Sequence, residues 1–318
     1  MSKYSKTIRE FAKVRMEQTP NNTQIARDIK NKFEIDQELE RIRRTVSDWR
    51  EKWGKEAKKV PIKRLFFDIE TSYYELLIRA WQLKNYTSYF NPDDIIKEKK
   101  IICISYKWQY ENEVHTLDWG NDANNEKQML KDFVKIMGDA DEVIGHNGDR
   151  FDIRFIRTRC LANGVLMFPN YRSLDTLKKA RSFFLFASNK LDYLGKFTGI
   201  GGKMEHEGRE LWDKVIQDKD VEALERMKKY CERDVAMLED LYFVLSPFIT
   251  NNNNFAVLKG GERWECPECA SGDVKMYRTY STPLGIIRRE MKCNNCKKQY
   301  KISNKTYQRM LHTVINNV

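Results

Sequence analysis

No stretch of this chain is apolar for long enough to span a bilayer, and Met1-Ser2-Lys3-Tyr4-Ser5-Lys6 lacks the apolar core of a secretory signal. The expectation is a soluble, cytoplasmic protein in a reducing setting, with no membrane partner. Internal repeats are absent as well. Cysteines are too few and too clustered for a disulfide framework. Four of the seven fall in two Cys-x2-Cys pairs that read as a metal site, and Cys103, Cys160 and Cys231 sit in apolar segments as ordinary core residues.

What the chain has is charge, unevenly spread. Its 318 residues are long for one compact domain, so two or three units are expected. The formal charge of +11 divides into +6 over residues 1–60, −2 over 61–250 and +7 over 251–318. Two basic ends around a slightly acidic middle point to ends that hold a polyanion and a middle that carries acidic, metal-binding chemistry. Ordinary solvated charge would account for either end alone.

Residues 7–53 read as three helices. Ile8, Phe11 and Val14 mark the first, and Thr19-Pro20-Asn21-Asn22 forms a turn. Ile25, Ile29 and Phe33 mark the second, with Asn22 or Thr23 as its cap, and Leu39, Ile42, Val46, Trp49 and Trp53 draw one apolar stripe along the third. Arg43, Arg44 and Arg50 occupy the third helix's other faces, so residues 1–54 resemble a helix-turn-helix module that would present this helix to duplex DNA. Glu40 and Glu51 on the same helix weigh against that reading, and a small bundle with a polar surface is the alternative.

Residues 55–60 read as a charged linker. From residue 61, strands are expected near 64–70, 101–108, 113–119 and 142–146, with helices near 125–138, 151–163, 174–198 and from Asp220 to Leu245. Over residues 61–250 this order resembles the ribonuclease H-like α/β fold, a mixed five-stranded sheet with flanking helices. The Asn-rich segment 251–258 reads as a second linker, before a third unit at 259–318.

Three distant stretches carry the chemistry. Arg64-Leu65-Phe66-Phe67-Asp68-Ile69-Glu70 is a strand whose alternation places both acids on one face. Gly145-His146-Asn147-Gly148-Asp149-Arg150-Phe151-Asp152 follows a strand and opens a helix, and Tyr230 and Asp234 lie four apart on one helix face. Each is weak alone, but acid type, order and flanking structure agree in all three. Charges sunk in apolar runs are very costly without a cation.

With these motifs the chain resembles the DEDD superfamily of 3′-to-5′ exonucleases. Asp68 and Glu70 match its first motif, Asp152 the second, and Tyr230 with Asp234 the third in its tyrosine form, Lys229 standing where the other branch has His. Ile101 to Trp108, Ser188-Asn189-Lys190-Leu191-Asp192-Tyr193-Leu194 and Gly199-Ile200-Gly201-Gly202-Lys203 extend the likeness to exonucleases predicted in tailed bacteriophages. The resemblance implies that Asp68, Glu70, Asp152 and Asp234 hold two Mg²⁺ or Mn²⁺ ions about 4 Å apart, Asp68 bridging them. It also implies that Tyr230 orients the attacking water and that Thr71 and Asn147 contact the terminal nucleotide. Asp149 reads as a surface turn, and Asp175 and Asp192 as helix caps or solvated acids.

Cys266-Pro267-Glu268-Cys269 and Cys293-Asn294-Asn295-Cys296, separated by a hairpin that turns at Pro283-Leu284-Gly285, read as one structural Zn²⁺ site, a zinc ribbon. Many such ribbons have Gly where this chain has Ala270. Arg288, Arg289, Lys297 and Lys298 crowd the module among Tyr277, Tyr280 and Tyr300, a mixture suited to a single nucleic-acid strand. The expected function is a metal-dependent exonuclease acting at a single-stranded 3′ end of DNA in phage replication, proofreading or repair, with a DNA polymerase or other replication protein as a possible partner. An exoribonuclease and a non-catalytic nucleic-acid-binding or polymerase-recruiting protein remain the alternatives.

Overall fold

The computed structural model describes residues 4–19, 21–57, 62–78, 91–120, 125–202 and 208–315. The chain divides into two compact units, Lys63–Thr250 and one built from both ends, Met1–Ile62 with Asn251–Val318. No described helix is long and apolar enough to cross a membrane.

The N-terminal helices are α1 (Lys6–Gln18), α2 (Asn22–Phe33) and α3 (Leu39–Ala57). Ala12, Ile25, Ala26, Ile29, Ile42 and Val46 form their buried cluster at helical spacing. Val14, expected inside, is 52% exposed, and the small Ala12 takes the inward position. The cap of α2 is Asn21 rather than Asn22 or Thr23. Its extended backbone lets the side chain accept the N–H groups of Thr23 and Gln24. The expected linker is shorter than its sequence implies, because α3 continues through Ala57. The good helix formers Lys55, Glu56 and Ala57 outweigh the cost of Gly54, roughly 1 kcal/mol. Pro20, residues 58–60 and Lys203, with the side chains of Arg50, Glu51 and Trp53, lie outside the described residues.

The unit 63–250 runs β1 (Arg64–Thr71), β2 (Glu75–Leu76) paired antiparallel with β3 (Ile95–Lys97), β4 (Ile101–Trp108), β5 (His115–Asp118), α4 (Glu126–Gly138), β6 (Glu142–Gly145) and α5 (Asp152–Asn163). It continues with β7 (Ser173–Asp175), α6 (Thr176–Phe183), α7 (Leu191–Thr198), α8 (Arg209–Asp213) and α9 (Val221–Leu245). The sheet order is β5-β4-β1-β6-β7. β4 is antiparallel to β1 and β5, whereas β6 is parallel to β1 and β7. β1 is thus central and covered on both faces, which is why Leu65-Phe66-Phe67 reads as an uninterrupted apolar run.

The expected helix over 174–198 is corrected. Its start is the edge strand β7, too short at three residues for alternation to reveal it, and α6 and α7 divide the rest. α6 stops where Phe184 becomes extended, and the chain re-enters helix only after the extended Lys190.

Two buried ion pairs fix the sheet. Arg64 meets Glu142 at 2.9 Å with side chains 3% and 0% exposed, joining the first residues of β1 and β6. Glu126 accepts two bonds from Arg159 and one from the Ile101 N–H, tying α4, α5 and β4 together.

The C-terminal part contains α10 (Phe255–Leu258), β8 (Val274–Ser281), β9 (Ile287–Cys293), β10 (Gln299–Ser303) and α11 (Asn304–Ile315). α10 occupies half of the expected linker 251–258, because Phe255 and Ala256 are fully buried apolar anchors and Asn254 caps the turn. Strand order is β10-β9-β8, and Trp264, Met291, Ile302 and Met310 form the core. Ala270 and Lys297, each directly after a Cys-x2-Cys pair, have φ of 54° and 65°. This left-handed backbone suits glycine, and a Cβ there is strained. Ala270→Gly is expected to stabilise the zinc-loaded protein by about 1 kcal/mol in denaturant unfolding. An unchanged or lower midpoint would contradict the strain.

Candidate active site

Alternation along β1 puts Phe66, Asp68 and Glu70 on one face. Phe66 packs with Leu238, Leu241 and Tyr242 of α9, so this face looks at the helix that carries Tyr230, Cys231 and Asp234. The Cys231 thiol donates to the backbone oxygen of Asp68 at 3.6 Å, joining strand and helix beside the acid. Ligand atoms of Asp68, Glu70 and Cys231 lie within 4.8 Å of one another. Burial first, then Cys103 and the two acids, push the Cys231 thiol well up, so it stays a neutral donor and leaves the carboxylates as the hard oxygen donors.

Asp152 begins α5 and is 4% exposed. The loop before it is tight: a Cβ on Gly145 would meet the Gly148 Cα at 3.0 Å, and Asn147 is left-handed with φ 71°. Asp175 holds the turn by accepting the N–H groups of Asn147, Leu177 and Lys178 on one oxygen, which makes it the cap of α6. The backbone N–H groups of Asp152 and Ile69 favour the charged form of the Asp152 carboxyl, but burial and its neighbours outweigh them. Its ionisation is opposed by burial first, then by Asp68, with Asp175 adding to both. No Lys or Arg forms an ion pair with Asp152 among the described residues. A divalent cation fits such a donor set, because it would offset the buried repulsion.

Asp68 and Asp234 open onto a cleft of about 710 Å³ that His146, Arg181, Lys190 and Asp192 also line. The two ring nitrogens of His146 lie 2.9 Å from Thr176 Oγ1 and the Asn189 carbonyl, which fixes the imidazole in the wall. Tyr230, 7% exposed, meets Trp212 edge-on at 6.4 Å between centroids. Trp212 in turn donates to the Thr71 carbonyl at 3.1 Å, so one indole braces both the tyrosine and the end of β1. Thr71 and Asn147 are half-buried at the ends of β1 and β6. Asp192 pairs with Lys196 and Asp149 with Lys178, both at the surface.

Sequence reasoning missed Trp212, Arg181 and Lys190 as members of this region, and His146 although it sits inside a motif. The only sequence signal was the polar run Ser188-Asn189-Lys190 between two apolar stretches.

The four cysteines of the second unit gather all their sulfurs within 4.8 Å, with Cys266 to Cys296 at 3.5 Å and Cys269 to Cys293 at 3.6 Å. Four Zn–S bonds of about 2.3 Å in a tetrahedron put sulfurs roughly 3.8 Å apart, close to this spacing. Packed this closely, the thiols cannot ionise independently: Cys269 is lowered while Cys266 and Cys296 are pushed up, and a cation among them would relieve that opposition.

One expected nucleic-acid contact is corrected. Lys298 is only 4% exposed and faces Glu268 at 3.7 Å, because it follows the second knuckle inward. Arg289 donates to Asn304 and stacks on Tyr307 of α11 at 4.8 Å. Arg288 and Lys297 remain accessible. On α3, Arg43 is committed to Glu40 by two hydrogen bonds, while Arg44 is 76% exposed.

Residues 95–246 match the model of the RNase_H superfamily. A DNA polymerase of Thermococcus litoralis is 32% identical over 113 residues, 33% of this chain and 6% of the polymerase. One of Thermococcus aggregans is 31% identical over 115 residues, 33% of this chain and 5% of the polymerase. The chain thus spans only a small part of these relatives. The family B DNA polymerase structure of Pyrobaculum calidifontis superposes with a TM-score of 0.44 at 18% identity, covering 59% of this chain and 25% of that one. A superposition this partial leaves the fold to the sheet order and the superfamily match, which agree on an RNase H-like domain.

A carboxyl whose folded pKa is raised favours folding while it is protonated. That contribution is complete below the usual carboxylate range and is lost as pH rises through the raised value. Zinc-loaded protein free of Mg²⁺ and Mn²⁺ is therefore expected to lose stability as pH climbs toward neutral. Asp152→Asn should raise its melting temperature at neutral pH while weakening Mn²⁺ binding at least tenfold, roughly. A variant that melts no higher than its parent would show that Asp152 is not a buried source of repulsion.

Proposed function

We propose that residues 63–250 form a metal-dependent 3′-to-5′ exonuclease of the tyrosine subgroup of the DEDD superfamily, releasing nucleoside 5′-monophosphates from the 3′ end of DNA. The observation that carries this reading is a buried Asp152 carboxyl that is set against Asp68 and forms no ion pair with a Lys or Arg among the described residues, beside the cleft that Asp68 and Asp234 share. Polymerases among the relatives support a role in proofreading or in trimming ends, and the sequence likeness to tailed-phage exonucleases would place that role in phage replication or repair, beside a separate polymerase.

Asp68, Glu70, Asp152 and Asp234 would hold the divalent ions, which supply Lewis acidity to an attacking water and charge neutralisation at the leaving 3′-oxygen. Tyr230 then needs only to hydrogen-bond the water and aim it, since a phenol is a poor base at neutral pH. Its place on α9, braced by Trp212, suits aiming. Thr71 and Asn147, near β1 and the motif loop, would seat the terminal sugar and base. Four oxygen donors and a fixed phenol explain this arrangement better than an idle binding fold does, because buried acids without a cation only destabilise.

Degradation of a 5′-labelled DNA oligonucleotide with Mn²⁺ is expected to yield a ladder shortened from the 3′ end. Asp68→Ala and Asp234→Ala should each slow it on the order of a thousandfold with binding retained. Tyr230→Phe should slow it roughly tenfold or more without loss of Mn²⁺ binding. Wild-type turnover in Asp68→Ala would refute the assignment, and faster shortening of a matched RNA would reverse the choice of sugar.

A further inference from the structure

The three-stranded sheet of the zinc module has two unlike faces. On one, Met291 and Ile302 are buried with Trp264 and Met310, and Arg289 is spent on Asn304 and Tyr307, so α11 covers it. The register places the alternate residues on the other face, where Lys292 stands opposite Lys275, Glu290 between Arg278 and Lys301, and Arg288 opposite Tyr280. Lys275, Arg278 and Lys301 are exposed there, and Tyr280, Arg288, Glu290 and Lys292 are half-buried.

Charge on this face is far from balanced. Glu290 is the single anion among these residues and is shared by Arg278 and Lys301. Lys275, Arg288 and Lys292 have no ion-pair partner among the described residues. Like charges directly opposite each other across two strands are destabilising, so the Lys275–Lys292 pair works against the fold and favours a polyanion. The face also offers stacking surfaces. The Tyr280 ring lies 5.1 Å from the Lys301 ammonium, and Tyr277, the extra residue of the β8 bulge, is 58% exposed.

We propose that this face is a docking surface for single-stranded DNA, its cations taking phosphates and its tyrosines taking bases. The inference rests on the proposed function only in its choice of DNA. It narrows the contacts to one side of the sheet and leaves Arg289 and Lys298 as structural groups.

The test is binding rather than turnover, so the absence of nuclease activity would sink the earlier reading and leave this one standing. Full-length, zinc-loaded protein in an Asp68→Ala background is titrated against a 5′-fluorescent single-stranded oligonucleotide at several salt concentrations. Adding Arg288→Glu with Lys292→Glu should weaken binding at least tenfold, and Arg288→Gln with Lys292→Gln should reduce the salt slope by about 1.4, two phosphates at about 0.7 each. Bound zinc is measured in every variant, and the Gln pair serves if the Glu pair loses metal. The control carries the same charge change on α4, Lys131→Glu with Lys135→Glu, and should bind within twofold of its parent. Unchanged affinity in the sheet variants would overturn the proposal, as it would if the occupant were an acidic protein. An equal loss in the control, or tighter binding of duplex than of single strand, would overturn it too.

Discussion

The domain 63–250 is organised around a repulsion. Asp68, on the central strand, opposes the ionisation of Asp152, itself buried at the start of α5. A fold that retains such a pair has to hold it rigidly and has to neutralise it with a proton or a cation, since the interior offers no water to screen it. Much of the surrounding structure is explained by the first requirement. The buried Arg64–Glu142 pair sets β1 beside β6, the Asp175 cap clamps the left-handed Asn147, and Cys231 joins α9 to the backbone of Asp68.

The second requirement separates the two candidate metal centres by chemistry. The first is made of hard oxygen donors opening onto a cleft, with room for a substrate and its water. The second is a closed set of four sulfurs inside a small sheet module, where every donor position is filled. The same contrast appears in the peptide backbone. Asn147 adopts its left-handed conformation where an asparagine tolerates it, whereas Ala270 adopts one at the knuckle where glycine would be easier.

The sequence made the central features legible because they leave local signals. Leu65-Phe66-Phe67 before Asp68 marks a strand covered on both sides, the Cys-x2-Cys spacing marks the sulfur site, and the helical pattern from Asp220 to Leu245 marks α9. What stayed hidden depends on tertiary contact. β7 is three residues long, so no period can declare it, and Asn21 outcompetes its neighbours as a cap only once its backbone is extended. Trp212 lies far along the chain from Thr71, yet only their meeting through one hydrogen bond makes it part of the site. Lys298 looked like a surface cation because composition cannot distinguish a side chain that follows a knuckle inward from one that points to solvent.

Anomalous diffraction from crystals soaked with Mn²⁺ and a short oligonucleotide tests the account most directly. Two manganese peaks ligated by Asp68, Glu70, Asp152 and Asp234, with the 3′-terminal phosphodiester between them and Tyr230 facing its phosphorus, are the predicted result. Manganese absent from these carboxylates, or a strand seated away from the cleft they share, would contradict it.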